Sequence, residues 1–378
     1  MVDREIKAIG MTSSISTGSL AFHIRRLIEA GGPLTVARYM NEALNNPDLG
    51  YYRTREPLGA AGDFVTAPEI SQMFGELLGA WFIDSWQRLG SPNPVFLVEL
   101  GPGRGTLLAD LWRAAAVSVE FRAAVHFCLV ETSPMLRDQQ GKKLSTLDPS
   151  PKLSWYSTLE EVPDGAVLLV ANEFFDALPV HQFVARAPGW RERLVDYNLN
   201  DPGRFYFVLS NEVTPAVKLL SNPGILGNGI EICPTGLAFV SEISRRLVKW
   251  GGAALIVDFH SNDSDFSLQS IRNHKYYDPL LNPGTADLSC AVDFLQLSKI
   301  ALANGASVHG PRGQGDFLKS LGIGVRAERL VADGDFESAQ VVCSGLRRLT
   351  EPNFMGELFQ AMAISSKDMV SMAGFEAK

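Results

Sequence analysis

The sequence predicts an α/β fold in which helices flank a mostly parallel β-sheet. Short apolar runs alternate with stretches of helical character over residues 95–171, and the first of these runs leads straight into closely spaced glycines. Strands that alternate with helices along a chain form parallel sheets through right-handed crossovers. Ligands bind at the carboxyl ends of such strands, so the residues after each apolar run are the candidates for a site.

The first predicted strand, Val95 to Leu100, is apolar enough to be buried on both faces. A helix is predicted from Thr106 to Trp112. Between them lie three glycines at alternate positions: Gly101, Gly103 and Gly105. Glycine adopts backbone angles that a Cβ disfavours, so this segment suits a tight turn against which a ligand can lie. A plain turn between strand and helix is the alternative.

The spacing of the glycines and a nearby acid separate two classes of cofactor. The dinucleotide fingerprint reads G-x-G-x-x-G and rests a pyrophosphate on the helix N-terminus. Here the spacing is G-x-G-x-G, and Glu99 precedes Gly101 by two residues. A carboxylate at the strand end repels a phosphate and attracts a cation. The pattern resembles the nucleotide loop of class I S-adenosylmethionine (SAM) methyltransferases, and an NAD-linked oxidoreductase is the weaker alternative.

A second acid follows the next predicted strand. Val125 to Val130 is apolar and is followed by Glu131, about thirty residues after the glycine loop. An acid at this strand end holds ribose hydroxyls in nucleotide-binding α/β folds, so Glu131 is predicted to bind the ribose. An acid is also favoured beside the start of a helix at Ser133 and Pro134, and the two roles are compatible.

Further strands are predicted after these two along the chain. The candidates are Lys152 to Tyr156, Ala166 to Ala171 and Gly251 to Asp258. The C-terminal third adds apolar stretches at 323–326, 340–348 and 361–365. A final pair of antiparallel edge strands is expected to complete a seven-stranded sheet.

The segment after the fourth strand reads NEFFDALPV and begins at Asn172. Methyl transfer from a sulfonium is an in-line displacement, in which the protein must orient the acceptor. Amino-group methyltransferases place a polar residue and then an aromatic residue at this strand end, which Asn172 with Phe174 or Phe175 resembles. Glu173 and Asp176 can hold a guanidinium through charge-assisted hydrogen bonds. In the alternative interpretation, Asp176 caps a turn and Phe175 is a core residue.

Composition limits the class of protein. Of 378 residues, 46% are hydrophobic and 20% charged, enough for one large core with insertions or two modest ones. The net charge of −8 argues against a general nucleic-acid binder and favours a basic protein substrate. No apolar run is long enough to span a membrane, and the four cysteines form no C-x-x-C pair, so no metal site is predicted.

The N-terminal region suggests a lid and a compartment. Residues 59–66 are expected to form a flexible loop that closes over a cofactor or, alternatively, links a helical extension to the core. A helix is predicted from Glu69 to Trp86, directly after Pro68. Its apolar stripe comprises Ile70, Phe74, Leu77, Leu78 and Trp81. The first twenty residues lack a secretion signal and are acidic for a transit peptide, which favours the cytoplasm, with the mitochondrial matrix as the alternative.

An insertion is predicted where the alternation of strands and helices stops, after Val180. Three antiparallel strands are expected, at 181–186, 191–197 and 204–209, and a loop at 223–235. The predicted domains are a helical extension with the lid loop at 1–90, and a core at 91–378 with the insertion at about 183–248. A homodimer formed through the insertion stays open as an alternative.

Several motifs resemble, in the same order, those of the MidA family of SAM-dependent methyltransferases. They are GDFVTAPEISQ from Gly62, VELGPGRGTLLADLW from Val98, NEFFDALPV from Asn172, DPL from Asp278 and NPGTAD from Asn282. The likeness extends from about Leu34 to Ile364. Two places depart from the family pattern: Phe259-His260 stand for tyrosine-glycine, and Ala291 stands for histidine.

The resemblance implies a class I methyltransferase core with a Rossmann-like seven-stranded sheet, a helical N-terminal extension and inserted segments. It also implies SAM as the cofactor. The residues carried over to the cofactor are Gly101, Gly103, Gly105 and Glu131, with Gly62, Asp63 and Thr66 in a loop that closes over it. Glu99 is expected to hold SAM with the glycine loop, while Asn172, Glu173 and Asp176 are expected to face the acceptor.

The predicted function is therefore methylation of an arginine guanidino group on a protein. In the mitochondrial branch of the family, whose members are complex I assembly factors, the implied activity is symmetric dimethylation of an arginine on a complex I subunit. The same substrate does not follow for bacterial members. The two departures from the family pattern leave a second hypothesis open, an assembly factor that binds SAM without turnover.

Overall fold

The structure is a computed structural model that describes residues 16, 18–54, 65–187, 189–220, 227–261 and 266–376. Gly62 and Asp63, and with them most of the predicted lid loop, lie outside the described residues. The chain forms two compact units. The accessory unit comprises Met1–Arg55, Pro179–Ile232 and Ser264–Leu288, and the core unit comprises Glu56–Leu178, Cys233–Asp263 and Ser289–Lys378.

The α-helices are, in chain order, α1 (Leu20–Gly31), α2 (Val36–Asn45), α3 (Tyr51–Thr54), α4 (Ala67–Ile70), α5 (Gln72–Arg88), α6 (Thr106–Ala114), α7 (Val119–Ala124), α8 (Pro134–Leu144), α9 (Pro234–Trp250), α10 (Phe294–Ala303), α11 (Gln314–Ser320), α12 (Ile323–Asp333) and α13 (Phe336–Thr350). Within the described part of the chain, none of the helices combines the length and the apolar character that crossing a bilayer requires.

The β-strands are β1 (Leu34–Thr35), β2 (Val95–Leu100), β3 (Val125–Val130), β4 (Leu153–Tyr156), β5 (Val167–Asn172), β6 (His181–Arg186), β7 (Gly189–Asn198), β8 (Asp201–Leu209), β9 (Gly229–Ile232), β10 (Gly252–Phe259), β11 (Gln269–Arg272), β12 (Lys275–Tyr277), β13 (Asp287–Ser289), β14 (Ser307–Gly313) and β15 (Phe359–Ser365).

The core unit is built on a seven-stranded sheet in the order β14-β15-β10-β5-β2-β3-β4. The strands from β10 to β4 pair in parallel, while β15 runs antiparallel to both β10 and β14. The predicted seven-stranded α/β sheet is confirmed. The chain builds outward from β2 to β4 and then returns to β5 on the other side of β2. Such a switch point opens a crevice at the carboxyl ends of β2 and β5, where ligands bind.

The parallel strands read as continuous apolar runs because both faces of the sheet are covered. Leu97 and Leu168 pack into the hydrophobic cluster on one face, and their neighbours Val98 and Leu169 pack into the cluster on the other. Successive side chains of a strand point to opposite faces, so every position of a covered strand is buried. This burial places the strand ends, and their acids, at one edge of the sheet.

The single helix predicted from Glu69 to Trp86 is wrong, because the chain breaks at Ser71 into α4 and α5. Ser71 has an extended backbone (φ −162°, ψ 136°), and its side chain accepts a hydrogen bond from the backbone nitrogen of Met73 as the N-cap of α5. A serine hydroxyl that caps a helix competes with continuation of the preceding one. The apolar stripe is otherwise as predicted: Phe74, Leu77, Leu78 and Trp81 are buried, and Ile70 is half-buried.

Two apolar stretches of the C-terminal third are helical rather than extended. Residues 323–326 lie in α12 and residues 340–348 in α13, while residues 361–365 lie in the edge strand β15. In α12 the buried residues are Ile323 and Ala327, four positions apart. That spacing places both side chains on one face of a helix, and it decides the structure of this segment.

The accessory unit contains a five-stranded sheet with the path β1-β7-β6-β9, in which β8 also pairs with β7. The three predicted antiparallel strands are confirmed as β6, β7 and β8. The loop predicted at 223–235 is wrong in part, because it contains β9, which pairs antiparallel with β6. A partner strand supplies the hydrogen bonds that hold this glycine-containing segment extended, and its composition alone does not show them. A second sheet has the order β12-β11-β13.

Candidate functional site

The glycine loop joins β2 to α6 in the core unit. Gly101, Gly103 and Gly105 have φ angles of 63°, 51° and 75°. These angles lie in the left-handed region, which favours glycine. Gly101 is also constrained by space, because a Cβ there would lie 2.9 Å from Cδ2 of Phe174. The backbone nitrogen of Gly101 donates to the carbonyl oxygen of Val130 at 3.1 Å, which ties the start of the loop to β3.

Glu99 lies next to the end of β2 with only 4% of its surface exposed. Its Oε2 accepts no hydrogen bond from any group that the structure describes. Burial, and then the charge of Glu131, raise the pKa of Glu99 to about 8. A buried acceptor without a donor destabilises a fold by roughly 1–3 kcal/mol, and a ligand that donates to it recovers that free energy.

Glu131 follows β3 at the start of α8. Its Oε1 accepts a hydrogen bond from the backbone nitrogen of Ser133 at 2.7 Å, and its Oε2 lies 3.4 Å from Nε2 of Gln140. Ser133 is the N-cap of α8, with Pro134 directly after it. Burial raises the pKa of Glu131, and these hydrogen bonds oppose the rise. The carboxyl group is therefore held in one orientation beside the helix.

The chain turns sharply where β5 ends at Asn172. Glu173 has a φ of 51°, a left-handed conformation that is uncommon for a residue with a side chain. Its Oε1 accepts from the backbone nitrogen of Ala67 at 2.7 Å and from Nδ2 of Asn172 at 3.1 Å. Burial raises the pKa of Glu173 to about 8, with a further contribution from Asp176. Oδ1 of Asn172 is buried and has no partner among the described groups.

A further carboxyl group, Asp258 of β10, supports the same turn. Its Oδ2 accepts from the backbone nitrogens of Phe174 at 3.1 Å and Phe175 at 2.8 Å, and its Oδ1 from that of Phe259 at 2.8 Å. Burial, and then the charge of Asp176, raise the pKa of Asp258 well above its usual value. Burial raises the pKa of Asp176 to about 7. The two aspartates thus disfavour each other's ionisation.

The structure brings most of the predicted site residues to one edge of the core sheet. The carboxyl ends of β2, β3 and β5 carry Glu99, Gly101, Gly103, Gly105, Glu131, Asn172, Glu173 and Asp176. Thr66 is the residue before α4 and lies one position from Ala67, which donates to Glu173. Phe175 is a core residue, as the alternative interpretation predicted, whereas Phe174 is half-buried and packs against Phe239 with ring centroids 5.2 Å apart.

Sequence reasoning missed two groups of residues around this edge. Asp258 was recognised only as an acid at a strand end, although that position beside β5 is itself a signal for a site. The other group is a charged cluster that includes Arg104 of the glycine loop. Glu69 pairs with Arg104 and accepts a hydrogen bond from Thr106, to which Lys143 also donates. Glu69 and Arg104 are 35 positions apart, so no local pattern indicates this pair.

The acids at the sheet edge lack counter-charges. Glu99, Glu173, Asp176 and Asp258 form no ion pair with a lysine, arginine or histidine in the described part of the chain. Carboxylates that share a poorly solvated site repel each other and retain protons. A cationic ligand would supply the missing charge, so the arrangement suits a positively charged cofactor, substrate or both.

We expect Glu99→Gln to make stability less dependent on pH. The pKa of Glu99 is about 8 in the folded chain against an ordinary value of 4.5, so the folded chain retains a proton that the unfolded chain releases. The stability that this retained proton contributes is fully present below the ordinary pKa and is lost as pH rises through about 8. Urea unfolding without ligand should show that the wild type loses roughly 3 kcal/mol more of its free energy of unfolding than the variant does between about pH 5 and about pH 8. Equal losses of the free energy of unfolding in both proteins would show that the pKa of Glu99 is not raised.

Comparison with known proteins places this chain in a family. A family model described as "Putative S-adenosyl-L-methionine-dependent methyltransferase" matches residues 77–312. The mitochondrial protein arginine methyltransferase NDUFAF7 of Danio rerio is 38% identical over 375 residues, covering 93% of this chain and 88% of that protein. The Homo sapiens protein of the same name is 39% identical over 367 residues, covering 90% of this chain and 82% of that protein.

The fold agrees with this match over nearly the whole chain. A crystal structure of a superfamily member from Burkholderia thailandensis, bound to S-adenosyl-homocysteine, superimposes with a TM-score of 0.79 at 27% identity and covers 94% of both chains. This neighbour confirms the methyltransferase fold that the motifs predicted. With the family model matching more than half of its length and relatives near 40% identity, the chain belongs to this family of SAM-dependent methyltransferases.

Proposed function

We propose that the protein transfers the methyl group of SAM to a guanidino nitrogen of an arginine on a protein substrate. The observation that carries this proposal is the group of acids without counter-charges at the carboxyl ends of β2, β5 and β10. Family membership supplies the methyl donor, and the charge of the site favours a cationic acceptor. The curated relatives that are named protein arginine methyltransferases support the same acceptor.

The residues at the ends of β2 and β3 fit the cofactor. The amino group of its amino-acid end can donate to the unmatched Oε2 of Glu99, which lies beside the glycine loop. Gly101 has no Cβ that would meet Phe174, so the loop backbone lies close to that ring beside the end of β2. Glu131 holds a carboxylate next to the same loop, and we assign it to the ribose hydroxyls. The predicted cofactor roles of Gly62 and Asp63 concern residues outside the described part of the chain, and that of Thr66 stays a prediction.

Glu173 and Asp176 are proposed to receive the guanidinium. A guanidinium is planar, and its donors match carboxylate oxygens, so two acids fix one nitrogen in place. Asn172 presents a buried Oδ1 as a further acceptor at the same strand end. These contacts position the nitrogen in line with the methyl group and replace its water.

The acceptor must also lose a proton. SAM supplies the methyl group, whose bond to sulfur breaks as the bond to nitrogen forms, with the electron pair left on sulfur. An arginine guanidinium is protonated at any physiological pH, so one N–H proton must leave during the reaction. We propose that this proton passes to the carboxylate of Glu173 or Asp176. Their pKa values of about 8 and about 7 make them better proton acceptors than ordinary carboxylates.

Calorimetry and a methylation assay test the proposal in sequence. We expect micromolar binding of SAM, no binding of NADH, and SAM binding at least about tenfold weaker in Glu131→Ala. Purified respiratory complex I then serves as the acceptor with labelled SAM, and the label should be recovered as methylarginine after acid hydrolysis. Absence of SAM binding would contradict the function. Binding of SAM without any methylarginine would favour the assembly factor that lacks turnover.

The narrower predictions rest on the family resemblance and remain proposals. A subunit of respiratory complex I is the proposed substrate because the resemblance to the MidA family implies such a substrate for its mitochondrial members. The cytoplasmic location expected from the sequence finds no support in the curated relatives, whose names are mitochondrial. The compartment of this chain stays a prediction, and so does a homodimer formed through the insertion at about 183–248.

A further inference from the structure

A fully buried glutamine links the two elements to which the cofactor is assigned. Gln140 of α8 is 0% exposed. Its Nε2 donates to the carbonyl oxygen of Gly103 at 2.7 Å and lies 3.4 Å from Oε2 of Glu131. Its Oε1 accepts from Nε1 of Trp155 at 2.8 Å. One side chain thus connects the glycine loop, the end of β3 and the neighbouring strand β4.

Trp155 fixes which way the amide of Gln140 points. An indole N–H can only donate, so the amide oxygen must face Trp155 and the amide nitrogen must face the other two partners. The nitrogen carries two hydrogens, and the two acceptors in reach are Gly103 and Glu131. The amide is therefore a fixed pair of donors between the glycine loop and the acid.

We infer that Gln140 is a positioning residue for the ribose of the cofactor, acting through Glu131. This inference rests on the proposed role of Glu131 as the ribose ligand. Ser133 holds one oxygen of the carboxyl group, and Gln140 holds the other, so the group is attached at two points and cannot rotate freely. Gln140 also fixes Glu131 relative to the carbonyl of Gly103, so the acid and the loop present one rigid surface to a nucleoside.

The charge state of Glu131 supports the same role. Burial raises the pKa of Glu131, whereas the hydrogen bond from Gln140 lowers it. A carboxylate accepts hydrogen bonds on all of its lone pairs, whereas a protonated carboxyl group has lost one acceptor position. By favouring the ionised form, Gln140 keeps Glu131 able to accept from two vicinal hydroxyls.

The test measures how strongly the protein discriminates against a missing ribose hydroxyl. Isothermal calorimetry compares S-adenosyl-homocysteine with its 2′-deoxy and 3′-deoxy analogues on the full chain. In the wild type, loss of a hydroxyl is expected to weaken binding roughly 10- to 100-fold, as for a hydrogen bond to a charged group. In Gln140→Met the same loss is expected to weaken binding only about threefold or less, because the carboxyl group is no longer held for that hydroxyl.

A matched control separates this role from general stability. Gln314 of α11 is also 0% exposed, and its Nε2 donates to the carbonyl oxygen of Leu349 at 2.9 Å. Gln314→Met is expected to lower the stability to urea but to keep the wild-type discrimination. If Gln140→Met also keeps it, the inference is overturned while the function stands. If the wild type itself does not bind S-adenosyl-homocysteine, the proposed function fails instead.

A second variant covers the case in which Gln140→Met does not fold. Gln140→Glu preserves the size of the side chain but places a second carboxyl group against Glu131. Because two ionised groups repel each other, this variant should bind S-adenosyl-homocysteine more weakly at about pH 8 than at about pH 6. The ratio of its Kd values at the two pH values should be roughly tenfold larger than the same ratio in the wild type. Equal pH dependence in the two proteins would overturn the inference.

Discussion

Glu173→Gln is expected to reduce kcat/KM for arginine methylation about 1000-fold while leaving the Kd for SAM within about threefold of the wild type. Removing one partner of a buried charge pair costs roughly 2–5 kcal/mol, and the positive partner here would be the acceptor guanidinium. Glutamine keeps an oxygen where Oε1 of Glu173 accepts from Ala67 and Asn172, so the turn after β5 should persist.

The control for this prediction is Glu120→Gln, which removes an exposed acid of α7. It should leave both kcat/KM and the Kd for SAM unchanged. Steady-state kinetics with an unmethylated protein substrate and calorimetry with SAM provide the two readouts. Wild-type kinetics in Glu173→Gln would show that this acid does not contact the acceptor. A large loss of SAM affinity would instead assign Glu173 to the cofactor.

The pH profile tests the two proposed acids together. A proton acceptor must be ionised to act, and burial raises the pKa of Asp176 to about 7 and that of Glu173 to about 8. The wild-type kcat/KM should therefore rise with pH and level off above about 8. Asp176→Asn should lose most of the activity and the part of this rise near pH 7, because asparagine does not titrate. An unchanged pH profile in Asp176→Asn would exclude Asp176 as the proton acceptor.

Gly101→Ala is expected to weaken SAM binding about 100-fold. The added Cβ would lie 2.9 Å from Cδ2 of Phe174, and φ at Gly101 is 63°, which an L residue rarely adopts. Phe174 cannot move away freely, because its ring packs against Phe175 and Phe239 and its backbone nitrogen is held by Asp258. Forcing an extra carbon into such a site costs roughly 1–3 kcal/mol, and here the displaced ring and loop are the surfaces that SAM would contact.

The matched control is Gly90→Ala. Gly90 also has a positive φ of 81°, but a Cβ there would meet nothing within 4 Å. Both variants should lose about 1 kcal/mol of stability from the unfavourable backbone conformation. Calorimetry should show that only Gly101→Ala loses SAM affinity. Equal affinity in both variants would show that the glycine loop does not closely contact the cofactor.

Local patterns predicted the elements whose character is set by near neighbours. The bounds of β2 and β3 agree with the predicted runs at both ends, since a strand covered on both faces is apolar at every position. The alternation of strands and helices predicts that Glu99, Glu131 and Asn172 lie at one edge of the sheet, and the structure has them there. At residues 323–326 and 340–348 the hydrophobic periodicity is ambiguous. A short apolar stretch of this kind does not show whether the segment is a strand or a helix.

The sequence by itself determined the α/β class, the glycine loop and the acids at the strand ends, because spacing along the chain encodes turn chemistry and burial. Only the tertiary structure decided that Asp258 holds the turn after β5, that Glu69 reaches Arg104, and that Gln140 joins Gly103 to Glu131. Each of these hydrogen bonds connects residues on different elements. Their distances depend on how the sheet and helices pack as a whole, which no window of sequence contains.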